Sequence, residues 1–591
     1  MTFDTLAQGL NRQPFTIVEI DINYCGNVYG DGASGGNCLA DLTAGNECYQ
    51  GFFTCQDPDN FQDSVFTLRL CSENAPLPHG LNAIPCVKSV NVAPTKLSPG
   101  KGLGQIAKAT VIFSDFVSND VGFDPYVSNR NYIATDQGTF WGRMLSRFPY
   151  TAGRTVRIKT GYLNGSAIDE VNDFQTYQYV VDSISPPSKN GSVILQAKDP
   201  LSLVNNLKRN APAASTGKLA ADIAESAAAA STFDVGTGFG ASYGSIKALK
   251  FVRINGEILQ VTLAGDTFTI VARGQWGSEV SGHSTGDTVQ ECLYFEGTER
   301  IDEVVRQLLV DHGQIDASFI NLTEWSTEAD RWLDEFTPSN IISEPTKITE
   351  MLNDITEQVG VGIWWSDRDH LIKLKTEAPV LGTETATTYT DDDILLDSET
   401  IKLREDLRIS RCLVYHTVRD YTEDNKARNF KVLELIVDTD SELDATYMIV
   451  QEKTIFARWI NGEAQSSLLA SRYIARFKRP PIQAGFKLDV KDHPIRVGAH
   501  VFLDSGIIQD VDGSNLLIEM QCLAVDFDDR SQSFTVEALQ FSYSGSRLAV
   551  YAPETLNDYT TESQANQDTY AFYCDDTTEL MSNGDEPYLY P

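Results

Sequence analysis

The chain has 591 residues, 42% apolar and 22% charged. That length exceeds what one hydrophobic core supports, so several domains are expected, and the composition excludes wholesale disorder, collagen and coiled coil. Lys and Arg number 47 against 82 Asp and Glu, a formal charge of −35, which excludes a protein that wraps nucleic acid through a basic surface.

Met1 to Phe15 has no basic stretch followed by an apolar run, so no secretory signal is expected. No run of about 18 apolar residues exists to cross a membrane as a helix. Folding in a cytoplasm is therefore expected, where the ten cysteines are free, metal-bound or catalytic rather than disulfide-bonded. The first segment, 1–98, is rich in Gly, Asn and Cys, shows little periodicity and ends at the turn signal Ser98-Pro99-Gly100. It is expected to need something other than a large core to hold it.

Residues 99–210 read as a β-rich domain, with strands over Ala107 to Phe113, Arg154 to Thr160 and Val193 to Ala197. Residues 211–295 read as a small inserted β module. It opens with an Ala-rich stretch, Lys218 to Ala230, expected as one helix, and contains a hairpin turning at Asn255-Gly256, where Asn-Gly supplies the two positive-φ positions of a type I′ turn. Residues 296–398 read as an α+β domain. Ile301, Val304, Val305, Leu308 and Leu309 share one helix face ending at Gly313, and Ile348, Met351, Leu352, Ile355 and Val359 share another ending at Gly360. Val361 to Trp365 and Leu371 to Lys375 then flank Ser366-Asp-Arg-Asp-His370 as a hairpin. Residues 399–545 read as a β-rich domain with one long helix, Glu463 to Lys478, stopped by Pro480-Pro481. Its closing strands are Leu516 to Phe527 and Ser533 to Phe541. The acidic tail 546–591 lacks apolar periodicity and reads as flexible, or as ordered only against a partner. The fold class is thus multidomain, predominantly β with α+β parts.

Few residues point to catalysis. Gly32-Ala-Ser34-Gly-Gly36 matches the Gly-x-Ser-x-Gly elbow of serine hydrolases but lacks the preceding apolar strand and following helix. Asp438-Thr-Asp440-Ser-Glu442 begins like a calcium loop without its Gly and closing Glu, and Asp391-Asp-Asp393 has no loop pattern, so both read as solvated acidic turns. The histidines at 79, 283, 312, 370, 416, 493 and 500 form no metal-binding pair and read as surface or turn residues. No catalytic residue is assigned.

Cys25, Cys38, Cys48 and Cys55 differ: four thiols lie within 31 residues of a segment poor in core-forming side chains. Structural zinc usually draws on close Cys-x-x-Cys hairpins, which are absent, whereas iron-sulfur ligation tolerates wider, uneven spacing. Spacing alone leaves cluster, zinc and free or later oxidised thiols all open.

The stretch Cys48-Tyr-Gln-Gly-Phe-Phe-Thr-Cys55-Gln-Asp-Pro-Asp-Asn-Phe resembles the baseplate hub or tail-tip proteins of long non-contractile-tailed bacteriophages, the siphophages. So do Thr67-Leu-Arg-Leu, Ile84-Pro-Cys-Val-Lys-Ser-Val, Pro99-Gly-Lys-Gly-Leu-Gly104, Asp124-Pro-Tyr, Gly138-Thr-Phe-Trp-Gly142, Gly153 to Gly161 and Lys198-Asp-Pro-Leu. Arg273-Gly-Gln-Trp-Gly277, with His283 and Gly286-Asp287, resembles a small β module common in such proteins. The resemblance covers roughly residues 20 to 545 and contains no catalytic motif.

It implies a virion structural protein rather than an enzyme: a tail-hub architecture of β-barrel-like tube domains plus inserted small domains. Such a hub is a homotrimer at the tail tip that closes the tube beneath a hexameric distal-tail ring and opens for DNA ejection. The tape-measure protein lies in the lumen and a central fibre or receptor-binding protein below, and DNA passes through without specific binding. The N-terminal part also resembles the lambda tail-tip protein that carries an iron-sulfur cluster. That likeness implies Cys25, Cys38, Cys48 and Cys55 as cluster ligands, with a 4Fe-4S centre first, zinc as the alternative metal, and Cys71 and Cys86 as alternate ligands. Two competing readings are a tail-associated glycan or peptidoglycan hydrolase, in which two carboxylates do the chemistry, and the hub of a gene transfer agent.

Overall fold

The computed structural model describes residues 3–8, 12–27, 38, 48–130, 132–163, 168–205, 209–377, 386–443, 445–492, 495–528, 531–541, 550–551, 561–563, 566 and 570–571. Its N-terminal third is a closed seven-stranded barrel in the order β1-β2-β3-β4-β7-β6-β5. The strands are β1 (Pro14–Cys25), β2 (Asp63–Ser72), β3 (Ile84–Ala93), β4 (Lys108–Ser114), β5 (Thr155–Tyr162), β6 (Phe174–Ile184) and β7 (Ser192–Lys198). Alternation drives β1. Val18, Ile20 and Ile22 enter the barrel core, while Glu19 and Asp21 face outward and pair with Arg157, Glu19 also with Arg69 and Lys159. Helix α1 (Phe3–Ala7) packs against Tyr162 of β5 outside the barrel core, with Phe3 and Tyr162 ring centroids 5.4 Å apart.

Helix α2 (Phe140–Arg147) plugs the barrel. Its first turn is satisfied from β4's end, because Phe140 N–H donates to Phe116 O (2.8 Å) and Trp141 N–H to Asp115 Oδ1 (3.1 Å). Trp141, fully buried, then stacks on Phe113 with centroids 4.8 Å apart. The boundary expected at 98/99 therefore runs through one barrel: β1 to β3 supply Val18, Ile20, Ile22, Leu68, Leu70, Cys86 and Val87 to its core, so the Cys-rich segment shares a hydrophobic core with the strands that follow.

The inserted module is a five-stranded sheet built on Phe251–Ile254, Glu257–Ala264 and Thr267–Ala272, edged by Thr232–Asp234 and Val289–Glu291. Asn255 has φ +53°, the left-handed geometry its turn requires. The expected Ala-rich helix is a correction: Lys218 to Ala230 is irregular. Its backbone is zipped onto the sheet instead, Leu219 N–H to Asp287 O and Ile223 N–H to His283 O, with Leu219 and Ile223 in the module core. Tertiary pairing outweighs alanine's helix propensity in a stretch with too few apolar residues to bury a helix face.

The α+β body carries α3 (Ile301–Gln307) with a π turn after it, α4 (Leu322–Trp332), α5 (Ile348–Val359) and the hairpin Val361–Ser366/Leu371–Thr376. Gly360 ends α5 with φ +74°. Its core continues through a three-stranded sheet, with Cys412, Val414 and Ile455 buried beside Trp325 and Trp365, and through α6 (Glu463–Phe477). Residues 387–403 and 482–540 instead build a separate six-stranded sheet with its own core around Phe486, Met520 and Val536. The expected unit 399–545 is thus shared between two cores, because α6 lays its apolar face on the α+β body.

The barrel, the α+β body and the six-stranded sheet are joined by direct hydrogen bonds and ion pairs. Trp365 Nε1–H donates to Gln178 O (3.0 Å), Tyr179 O–H to Asp367 Oδ2 (2.8 Å), and Leu97 N–H to Leu523 O (2.9 Å). Arg12 pairs with Asp489 at 2.8 Å and Lys96 with Glu537 at 2.6 Å. A cavity of about 1160 Å³ remains between them, walled by Tyr177, Trp364, Arg496 and Phe527 among others.

Four histidines depart from the surface reading. His283, His312 and His416 are buried and the His500 side chain is 4% exposed, beside Glu519 at 2.9 Å. His283 Nε2 lies 2.9 Å from Glu257, which is also held by Arg273, so the ring belongs to a buried polar core of the module. His493, the Gly32 to Gly36 motif and most of the tail after residue 545 lie outside the described residues.

Candidate metal centre

Cys25 is the last residue of β1, paired in register with Asp63 of β2, so its position is set by the barrel rather than by a loop. Its N–H donates to Gln50 O (2.8 Å), and the next N–H, of Gly26, donates to Gln62 O (2.8 Å). The loop from Cys48 to Cys55 thereby lies across the end of β1. Gln50 takes φ +58°, a strained choice for a residue with a Cβ. Gly51 follows with no freedom to be anything larger, since a Cβ there would stand 2.2 Å from Arg147 O of α2. Thr54 and Cys55 N–H then bond back to Gly51 and Phe52 O, each at 3.2 Å, turning Cys55 inward.

The result is a small pocket lined by Cys25, Cys38, Cys48 and Cys55, with Gln50, Gly51 and Phe61 around them. All four thiols are unpaired by disulfides. Burial and then the neighbouring thiols raise the Cys48 and Cys55 pKa values above the ordinary range. Metal-free, these groups are protonated at neutral pH, and a metal entering the pocket must displace their protons. As placed, no group of three or more His, Cys, Asp or Glu side chains among the described residues is set to hold a metal ion. Tetrahedral zinc would require the sulfurs about 3.8 Å apart, whereas a cluster inserts its own atoms between them.

Cys71 and Cys86 are not on this pocket. Cys71 packs outside the barrel with Phe15, Ile17 and Phe174, its pKa pushed up to about 11 by burial, and Cys86 sits inside the barrel with Val87 and Ala107, shifted upward for the same reason. The acidic turns hold the protein's own groups: Glu442 pairs with Arg411 at 2.6 Å, Asp438 accepts from Ser441 N–H, and Asp391 from Gly506 N–H.

Two groups of residues escaped the sequence reading. Arg130 and Asp124 lie behind the thiol loop, with Arg130 over the ring of Tyr49 in that loop. Asp199 and Asp367 lie at the seam between barrel and α+β body; burial raises both pKa values, that of Asp199 to about 7. Isolated acids in a chain of 82 give no sequence signal for burial.

No family model matches the chain, and no curated protein does. Among solved structures it is similar to a tail protein from Neisseria meningitidis MC58, at 9% identity over 77% of this chain and 96% of that one, with a TM-score of 0.36. It is similar too to the 43 kDa tail protein of prophage MuSo2 from Shewanella oneidensis, at 9% identity over 77% and 97%, TM-score 0.35. A third is the prophage tail protein gp18 from Listeria monocytogenes EGD-e, at 9% identity over 67% and 87%, TM-score 0.30.

Proposed function

We propose that the chain is a structural component of a bacteriophage-type tail, the hub at the tail tip that closes the tube and opens for DNA ejection. In this reading it forms a homotrimer beneath a distal-tail ring, matching sixfold to threefold symmetry. The tape-measure protein lies in its lumen and a central fibre or receptor-binding protein below. The observation that carries the reading is where three of the hub-like segments fall, at the seams and plug of an interlocked scaffold, while others, Thr67 to Leu70, Ile84 to Val90 and Gly153 to Gly161, run along barrel strands β2, β3 and β5. Pro99 to Gly104 is pinned to the α+β body, with Gly100 N–H on Glu377 (3.0 Å), Leu103 N–H on Asn353 (2.9 Å) and Lys453 Nζ on Gly100 O (3.0 Å). Gly138 to Gly142 starts the plug helix, and Lys198-Asp-Pro-Leu puts a buried carboxylate at the barrel seam. Segments likened to hubs that hold domains together suit a load-bearing tube end.

Within the same reading Cys25, Cys38, Cys48 and Cys55 hold an iron-sulfur cluster, 4Fe-4S from the four thiols, with zinc as the alternative. A metal there would tie the loop Cys48 to Cys55 and Cys38 to the end of β1. Anaerobically purified protein should be brown, with iron and sulfide in comparable amounts. Stoichiometric zinc instead identifies the alternative, and colourless protein with intact thiols and no metal refutes the centre.

The decisive experiment for the hub is a reconstruction of the tail tip. Threefold density for this chain at the distal end of the tube is expected; sixfold density, or absence from the particle, contradicts it. Cleavage of glycan or peptidoglycan by the purified chain would favour the hydrolase. Random host DNA inside the particles would make it the hub of a gene transfer agent.

A further inference from the structure

The thiol loop is held from behind by a buried ion cluster. The Arg130 side chain, 2% exposed, gives Nε to Asp124 Oδ2 (2.6 Å) and Nη2 to both Asp124 Oδ1 (3.1 Å) and the Cys48 carbonyl (2.8 Å). Its plane covers the Tyr49 ring at 4.1 Å, and Arg147 covers the same ring at 5.0 Å. Arg147 also reaches Asp120 (3.2 Å) and Asp124 (3.3 Å), and Arg143 reaches Asp120 (2.8 Å). Three guanidiniums thus face two carboxylates, a local excess of one positive charge in a chain of −35.

We infer that Arg130 is the positioning residue of the four-thiol pocket, fixing the Cys48 backbone and setting positive charge behind the thiolates. The inference rests on the metal reading above. Four thiolates outweigh the charge of a bound zinc ion or of an oxidised 4Fe-4S core, so the loaded site is anionic, and outer partners that orient ligands and offset such charge contribute to retention. Only a planar fork can bind a carboxylate at two points, donate to a carbonyl and lie over a ring together. A lysine there would keep the charge and lose the geometry. The first of the four thiols is placed by β1, and the third is placed by Arg130.

The test uses the full chain, purified anaerobically, in three variants. Arg130→Met removes charge and fork, Arg130→Lys keeps charge alone, and Arg143→Met removes a charge from the same cluster without touching Cys48. Metal release to a chelator should be about 10- to 100-fold faster in Arg130→Met, intermediate in Arg130→Lys and unchanged in Arg143→Met. The absorption and electron paramagnetic resonance spectra of the loaded protein should change only in the Arg130 variants. In metal-free protein Cys48 should be alkylated faster in Arg130→Met, while buried Cys71 and Cys86 stay protected and so report an intact barrel. Equal release from Arg130→Met and wild type overturns the inference, as does equal loss in Arg143→Met, which would mark general destabilisation. If Arg130→Met exposes Cys71 and Cys86, Arg130→Lys decides in its place, and wild-type retention there overturns positioning. A wild type that never holds metal defeats the metal reading instead. The alkylation rate of Cys48 then judges the seat by itself: a faster rate supports it and an unchanged one overturns it.

Discussion

Asp199 makes the stability of the barrel seam depend on pH in a direction opposite to the usual acid unfolding. The residue is 1% exposed; one carboxyl oxygen accepts from Ala107 N–H at 3.1 Å, and the other has no hydrogen-bond partner among the described residues. Burial raises its pKa to about 7, opposed by backbone N–H groups of Ala107, Ser202 and Leu201 and reinforced by the Asp367 charge across the seam. Between the unfolded value near 3.8 and about 7 the folded chain binds this proton more tightly than the unfolded one, so stability falls as pH rises through that window. At 1.36 kcal/mol per unit the full loss is on the order of 4 kcal/mol by pH 8. Asp199→Asn keeps an acceptor for Ala107 and cannot ionise. It should be near neutral at pH 4 and stabilising at pH 8, seen as a raised melting temperature and slower hydrogen exchange at the β4 and β7 amides. A stability difference between variant and wild type that stays the same from pH 4 to pH 8 would refute the reasoning.

Trp141→Ala should cost about 3–5 kcal/mol by emptying the barrel's plug site, read from denaturant unfolding of the full chain; a loss below 1 kcal/mol would mean the barrel closes without α2. Gly277→Ala should loosen the inserted module from the body behind it, because at φ +83° a Cβ would stand 1.8 Å from Arg419 O. Limited proteolysis should then release residues near 211–295 sooner than in wild type. Duplex DNA should not bind at physiological salt, since no basic run exceeds Lys478-Arg479 and the net charge is −35. Tight binding, or an assembled lumen lined mainly by Lys and Arg, would refute passage of DNA without specific binding.

The elements legible in the sequence were those whose pattern and punctuation agree. The helix Ile348–Val359 has a continuous apolar stripe and a Gly stop, and the hairpin at Asn255 has both alternation and turn chemistry. The strands β1 to β3 were obscured by what lies between them. Phe15 to Tyr24 alternates as well as any strand in the chain, but the Gly- and Asn-rich stretch that follows hides its partner, β2, until Asp63. A closed barrel pairs strands far apart in the chain, such as β1 with β5, and nothing local in either strand specifies that neighbour. The Ala-rich stretch failed for the converse reason: its local preference was clear, and the backbone partners at Asp234, His283 and Asp287 prevailed.

The candidate site divides along the same line. Four cysteines in 31 residues were visible as a set, and the pocket gathers those four and leaves out Cys71 and Cys86. The strand register accounts for the exclusion: Cys71 pairs opposite Pro85, next to Cys86, yet the two thiols enter different clusters on opposite sides of the barrel wall. Nearness in sequence therefore could not rank ligands, and sidedness could. Arg130 lies 82 residues from Cys48 and was one of 47 basic residues, without any spacing to single it out. Its significance comes from being nearly unexposed in a chain whose charge should keep cations paired at the surface. The physical rule is that a buried guanidinium charge must be paired, and although Arg130 Nη1 has no hydrogen-bond partner among the described residues, the groups that engage Nε, Nη2 and the face of the guanidinium identify what it holds. Here they are Asp124, the Tyr49 ring and the Cys48 carbonyl, and two of the three belong to the thiol loop.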